Sequence, residues 1–195
     1  MIIFGASGHG KVIASALENV VSFFFDDNPP GGTFCDVVVQ EYDPKYQPKE
    51  LLVIAIGDNK IRKTVAEKVT HSFGIVQAIS AEVDISVVVG KGSQIIHGAI
   101  IQADSKIGNH SIINTGASVD HDCSIGDYCH IAPQVTLCGN VTVGEGTIVG
   151  AGSTVIPGIT IGKWCKIGAG SVVTKNIPDH SIAVGNPARI IKTNG

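Results

Sequence analysis

The chain has 195 residues, 44% of them apolar and 16% charged, which allows one large domain or two small ones and excludes a disordered polymer. A net charge of −3, with no basic run, gives no electrostatic footprint for nucleic acid or an anionic membrane. The 24 glycines and an aromatic share of only 5% suit short strands joined by tight corners, where large rings do not fit.

The five cysteines are odd in number and show no CxxC spacing. No secretory leader pattern opens the chain, and no apolar run approaches the roughly 20 residues of a membrane-spanning helix. The expectation is a reduced, cytoplasmic protein with no membrane insertion.

In chain order, residues 1–4 predict a buried strand, followed by the turn Gly5-Ala-Ser-Gly8-His-Gly10 and a helix from Lys11 to about Asn19. Val21 to Phe25 predicts a second strand, ended by Asp26, Asp27 and a Pro29-Pro30 stop. A short strand is expected at Val37 to Val39 and another at Leu51 to Ile56, closed by Gly57-Asp58-Asn59. A helix from Lys60 to about Val69 and a strand near Ile75 to Ile79 complete a small parallel sheet. A glycine turn between first strand and first helix lets backbone N–H groups approach a phosphate. The spacing G-x-x-G-x-G departs from the dinucleotide fingerprint, which argues against NAD. The turn, the acidic pair and Gly57 all fall at carboxyl ends of strands, where such sheets take nucleotides.

From Val83 the pattern changes. Every sixth residue up to Val173 is Val, Ile or Leu, without a gap. Four places after each aliphatic comes a small or β-branched residue, such as Ser93, Ser111, Cys123, Cys129 or Ser153, and glycine often follows the aliphatic directly. A period of six fits neither a helix nor a flat strand. It fits a three-sided prism of short strands, in which three hexads make a coil of eighteen residues. Residues eighteen apart then stack, so Ala103 and Gly139 flank His121, while Ile112 and Ile148 flank His130. By the same pattern Cys123, Cys129 and Cys165 are small core residues, not catalytic thiols. The seven histidines show no zinc-ligand clustering, so no metal is expected. The domain organisation reads as 1–79, a Rossmann-like α/β domain, and 80–195, an all-β prism with a C-terminal tail.

The whole chain resembles the bacterial hexapeptide-repeat sugar acetyltransferases of the sialic-acid O-acetyltransferase type, and most of all the UDP-4-amino-sugar N-acetyltransferases of the bacillosamine pathway. The residues that carry the resemblance are Phe4-Gly-Ala-Ser-Gly-His-Gly10, Phe25-Asp-Asp27, Ile54-Ala-Ile-Gly-Asp-Asn59 with Ile61-Arg-Lys63, Asn114-Thr-Gly-Ala-Ser-Val-Asp-His-Asp122 and Val184-Gly-Asn-Pro-Ala-Arg189. The resemblance implies a left-handed coil sense for the parallel β-helix, acetyl-CoA as donor, a nucleotide-linked amino sugar as acceptor, and a homotrimer with active sites between subunits. Carried over by residue, His121 is similar to the general base and Asp122 to the acidic neighbour that raises its basicity, where the family often has glutamate. Ser7, Gly8, His9, Asp26, Asp27 and Gly57 match nucleotide-sugar positions, and Asn114 falls near the acceptor. His130, Ala151 and Ala169 fall at acetyl-CoA positions. The activity implied is N-acetylation of a UDP-linked 4-amino-4,6-dideoxy sugar. O-acetylation of sialic acid, N-acetylation of another nucleotide amino sugar such as GDP-perosamine, and a non-catalytic sugar-nucleotide scaffold stand as alternatives.

Overall fold

The computed structural model describes residues 1–18, 20–29 and 31–193. The front part is built from β1 (Ile2–Phe4), α1 (Gly8–Ala16), β2 (Phe23–Phe25), β3 (Thr33–Phe34), β4 (Val37–Gln40), β5 (Leu52–Ile54) and α2 (Asn59–Lys68). Its sheet runs β3-β4-β2-β1-β5, parallel except for the antiparallel β3–β4 edge. The apolar runs IIF, FFF and LVI are buried at every residue, as central parallel strands must be when both faces are covered.

Two expectations shift. The first helix starts within the glycine turn, at Gly8, and ends at Ala16; Asn19 and Pro30 lie outside the described residues. The strand expected near residues 75–79 is Val76–Gln77, and it pairs with Gln94–Ile95 of the repeat region instead of closing the small sheet. Among the described residues, a single bridge of Leu52 to Phe73 returns the chain to that sheet.

The repeat region is a left-handed parallel β-helix with three faces. The first face contains Val76–Gln77, Gln94–Ile95, Ile112–Ile113, His130–Ile131, Ile148–Val149 and Lys166–Ile167, and is extended by a hairpin of Ser181–Val184 and Arg189–Thr193. The second runs from Glu82–Val83 through Ser118–Val119 to Val172–Val173, and the third from Val88–Val89 through Ser124–Ile125 to Thr160–Ile161. Pairing is in register at intervals of eighteen, for example His130 with Ile112 and Ile148. The aliphatics from Ile95 to Val173 are all buried in one core, with Val83 and Val89 partly covered at its open end.

The small hexad position does more than fill space. Ser93 Oγ donates to Gly108 O at 2.6 Å and accepts from Ser111 N at 2.9 Å; Ser111 Oγ repeats this with Gly126 O and Cys129 N. Cys129 Sγ continues the ladder to Gly144 O, and Thr147 Oγ1 to Gly162 O and Cys165 N. Corner carbonyls and N–H groups that the short strands leave unpaired are satisfied in this way.

Every sixth residue from Gly92 to Gly170 turns a corner with positive φ. Glycine fills many of these positions, but between the third and first faces they include His110 (φ 53°), Tyr128 (φ 57°) and Trp164 (φ 54°). Bulky residues in the left-handed region carry strain, and here the front domain packs on them. Lys63 of α2 lies over the Tyr128 and Trp164 rings and pairs with Glu145 at 2.7 Å. Arg62 is fully buried in the same seam. Its guanidinium donates to the carbonyls of His110, Ile56, Gly57, Tyr128 and Cys129 and to Asn59 Oδ1. Burial lowers the Arg62 pKa to about 10, so it stays charged.

Candidate active site

Two groups of polar side chains stand on opposite sides of the prism. The first lies where the front domain meets the first face. Gly10 sits so close to the Gly5 carbonyl that a Cβ there would collide with it, which fixes the turn as glycine. Ser7 is the N-cap of α1 without a side-chain cap bond, and Gly8 is exposed with open space beside its Cα. The N–H groups of this first helical turn are therefore accessible to an anion. Asp26 holds the turn from below: Oδ2 accepts from Ala6 N at 2.7 Å, and Oδ1 from Asn28 N at 2.8 Å. Asp27 is half-exposed and paired with Lys68 at 2.8 Å. Both carboxylates thus have protein partners, which the sequence did not show.

His9, one residue into the helix, faces His130 with ring centroids 6.5 Å apart. Nδ1 of His130 lies 3.2 Å from the Gly57 carbonyl, which only accepts, so this nitrogen carries the proton. Nε2 then accepts from Asn114 Nδ2 at 3.0 Å, and Asn114 Oδ1 accepts from Thr115 N, which fixes the amide. Burial first, and then the Arg62 charge, lower the His130 pKa to about 4, so the ring is neutral. His9, Gly57, Asn114 and His130 are thus brought together. A cavity of about 240 Å³ continues this crevice past Gly57, between the start of α2 and the wall formed by Ile148, Trp164 and Lys166. Ala151 and Ala169 stack eighteen apart at the exposed corner between first and second faces, joined through Gly170 N to Ala151 O.

The second group is His121 and Asp122, at the corner between the second and third faces, after Ser118–Val119 and before Ser124–Ile125. That corner is the vertex opposite the first face, on which the front domain sits. One chain therefore does not bring its own glycine turn to His121. The imidazole is 61% exposed, and Nδ1 meets Asp122 Oδ2 at 2.8 Å. Asp120 Oδ1 accepts from His121 N at 2.8 Å. The Asp122 hydrogen bond, and after it the Asp120 charge, raise the His121 pKa. With Nδ1–H donated to a carboxylate, the free lone pair is on Nε2, the nitrogen that faces outward over Gly139. Asp122 has φ 58°, and aspartate tolerates that left-handed corner better than glutamate does. The shorter side chain nevertheless reaches the ring.

The sequence missed two members of the first group. Arg62 and Gln94 are both fully buried polar residues at the domain seam. Arg62 stood within a resembling segment, but nothing local marked it as a hub. Gln94 gave a faint signal as a polar residue in the outward column that also holds His130. Among the described residues, no group of three or more His, Cys, Asp or Glu is arranged to hold a metal ion, and no helix is long and apolar enough to cross a membrane.

The family described as the PglD N-terminal domain matches residues 1–69, and the bacterial transferase hexapeptide family matches residues 104–139 and 140–175. Perosamine N-acetyltransferase from Caulobacter crescentus, solved with CoA and GDP-perosamine, is 39% identical, with a TM-score of 0.93 over 98% of this chain and 96% of that one. The acetyltransferase domain of PglB from Neisseria gonorrhoeae is 31% identical, with a TM-score of 0.90 over 97% and 98%. WeeI from Acinetobacter baumannii is 30% identical, with a TM-score of 0.86 over 97% and 98%. An uncharacterized protein of Acanthamoeba polyphaga mimivirus is 38% identical over 116 residues, 53% of this chain; that match spans 22% of the viral protein's length.

Proposed function

The chain belongs to the bacterial hexapeptide-repeat sugar acetyltransferases, and within that family we propose that it transfers the acetyl group of acetyl-CoA to the 4-amino group of a nucleotide-linked 4-amino-4,6-dideoxy sugar. The UDP-linked sugar is the first acceptor in this reading. GDP-perosamine is the second, favoured by the likeness to the Caulobacter enzyme solved with that compound.

The observation that carries the reading is the His121–Asp122 pair on a 61% exposed imidazole whose Nε2 lies over the bare backbone of Gly139. The amine nitrogen attacks the thioester carbonyl. Nε2 of His121 takes a proton from the nitrogen as the N–C bond forms. The adduct collapses, the C–S bond breaks, and the imidazolium returns the proton to the departing CoA sulfur. The products are an amide and free CoA. Asp122 holds the imidazole in the useful tautomer and stabilises its charged form. The buried thiols suit direct transfer without an acyl-enzyme: burial pushes the Cys129 thiol up to about 12.

Ser7, Gly8, His9, Asp26, Asp27 and Gly57 form the nucleotide-sugar side in this reading, with Asn114 near the acceptor. His130, Ala151 and Ala169 form the donor side, the alanines through their backbone. The placement of His121 opposite the front domain supports a site assembled from two chains. A homotrimer in the cytoplasm, with each acceptor held by one subunit and deprotonated by the next, meets that requirement.

The test is incubation of the purified protein with labelled acetyl-CoA and, in turn, the UDP-linked amino sugar, GDP-perosamine and a free sialic acid. N-acetylated nucleotide sugar with equimolar CoA thiol is the expected product. Label appearing only on sialic acid, or no binding of any acyl-CoA by calorimetry, would overturn the proposal.

A further inference from the structure

The outward residues of the first face form a column at intervals of eighteen: Gln94, Ile112, His130, Ile148 and Lys166. Gln94 is completely buried beneath the front domain. Its amide has one workable orientation. Nε2 donates to the Ile54 carbonyl at 2.8 Å, and reversing the amide would set two oxygens against each other. Oε1 is therefore the atom 2.8 Å from Nε2 of His9. An amide oxygen only accepts, so His9 carries its proton on Nε2 and keeps its lone pair on Nδ1.

No hydrogen bond from the described residues reaches His9 Nδ1, and the residue is partly exposed. His130 follows the same logic to a different end. Its Nδ1 is taken by Gly57 O and its Nε2 by Asn114, so it has no ring nitrogen to offer. Of the two imidazoles at the crevice, His9 alone has an available nitrogen, and that nitrogen is an acceptor.

We propose that Gln94 is a positioning residue whose buried amide, bridging Ile54 and His9, fixes the His9 tautomer so that Nδ1 receives a proton donor of the acceptor sugar, a hydroxyl or the amine, and disfavours an oxyanion or carbonyl there. This deepens the reading of the crevice as a nucleotide-sugar site and rests on it. Roles divide accordingly. The backbone N–H groups at Ser7 to His9 supply donors for phosphate oxygens, and His9 Nδ1 supplies the acceptor beside them. Burial lowers the His9 pKa, the Gln94 bond offsets part of that, and the Arg62 charge adds to the lowering, which favours a neutral ring.

The experiment has a spectroscopic arm and a kinetic arm, both on the full chain. Long-range proton–nitrogen correlation on ¹⁵N-histidine protein, with His9 assigned by its disappearance in His9→Asn, reads the tautomer without any substrate. The expected wild-type signature is protonated Nε2 with bare Nδ1, shifting to a mixture of tautomers in Gln94→Leu and Gln94→Met. In steady-state kinetics, losing the fixed acceptor raises KM for the nucleotide sugar by up to about tenfold. KM for acetyl-CoA and kcat stay near wild type, a split that general loosening of the seam does not produce. A wild-type ring protonated on Nδ1, or unchanged acceptor KM in both variants, overturns the proposal. Should Gln94→Leu fail to fold, the wild-type spectrum and Gln94→Met decide. Wild-type protein that acetylates no nucleotide-linked amino sugar defeats the underlying reading instead, and the tautomer is still judged by its own spectrum.

Discussion

Nε2 of His121 projects over the bare backbone of Gly139 on the next coil, where a Cβ would stand only 2.6 Å from the ring nitrogen. Gly139 is not a left-handed corner residue, so alanine is compatible with its backbone. The methyl would instead displace the exposed imidazole. Gly139→Ala is therefore expected to lower kcat toward the loss of a general base, on the order of 10²–10⁴-fold, without lowering the melting temperature. Paired activity and thermal-melt measurements check this; full activity would mean that Nε2 does not work from this position.

The pH profile follows from the same ring. His121 accepts a proton only when neutral, so kcat should rise with pH through its pKa, which Asp122 and then Asp120 hold above the ordinary 6.5. Asp122→Asn retains a residue suited to the left-handed corner but removes the carboxylate. The acid limb of kcat should then move to lower pH and the plateau should fall. An unmoved limb would separate the titration from Asp122.

Arg62 ties α2 to three carbonyls of the β-helix, those of His110, Tyr128 and Cys129. Arg62→Leu leaves these and the Gly57 carbonyl without that donor, at a cost of about 1–3 kcal/mol for each group that finds no other partner. Urea denaturation should show an early loss of the front domain, and limited proteolysis should open the segment around residues 70–80. The acceptor KM should rise as well, because Arg62 holds the Gly57 carbonyl at the nucleotide-sugar crevice.

The corner ladder gives a purely structural expectation. Ser111→Ala strands Gly126 O and Cys129 N in the core, for about 1–3 kcal/mol. Ser111→Cys should cost less, because Cys129 makes the equivalent sulfur bond to Gly144 O one coil on. Differential melting of the two variants decides the order.

The prism was legible because its signal is repeated: inward aliphatics from Ile95 to Val173 are all buried, as a sixfold period demands. The openness beside His121 was legible from stacking arithmetic, since Gly139 lies eighteen residues on. What stayed hidden depends on contacts between distant segments. Val76–Gln77 has the local look of a sheet strand, but its partner is chosen by the coil above it. Asp26 resembles a free ligand-binding carboxylate until the turn folds over it and donates Ala6 N. Arg62 has the periodicity of an ordinary helix residue, and only docking on the aromatic corner buries it. The ladder role of serine and cysteine shows in the sequence only as smallness, because a one-dimensional pattern records size and not the unpaired carbonyl one coil away.

The account requires that the sugar held by one chain meet the base of another. Co-expression of His121→Ala with the double variant His9→Ala/Asp26→Ala, which also removes the carboxylate that holds the glycine turn, each chain carrying its own affinity tag, isolates mixed oligomers from two chains that are each disabled alone. Mixed oligomers should regain acetyl transfer, since some interfaces then pair an intact front domain with an intact His121. Mixed oligomers as inactive as either parent, alongside a fully active wild type, would place the whole site within one chain and contradict the account.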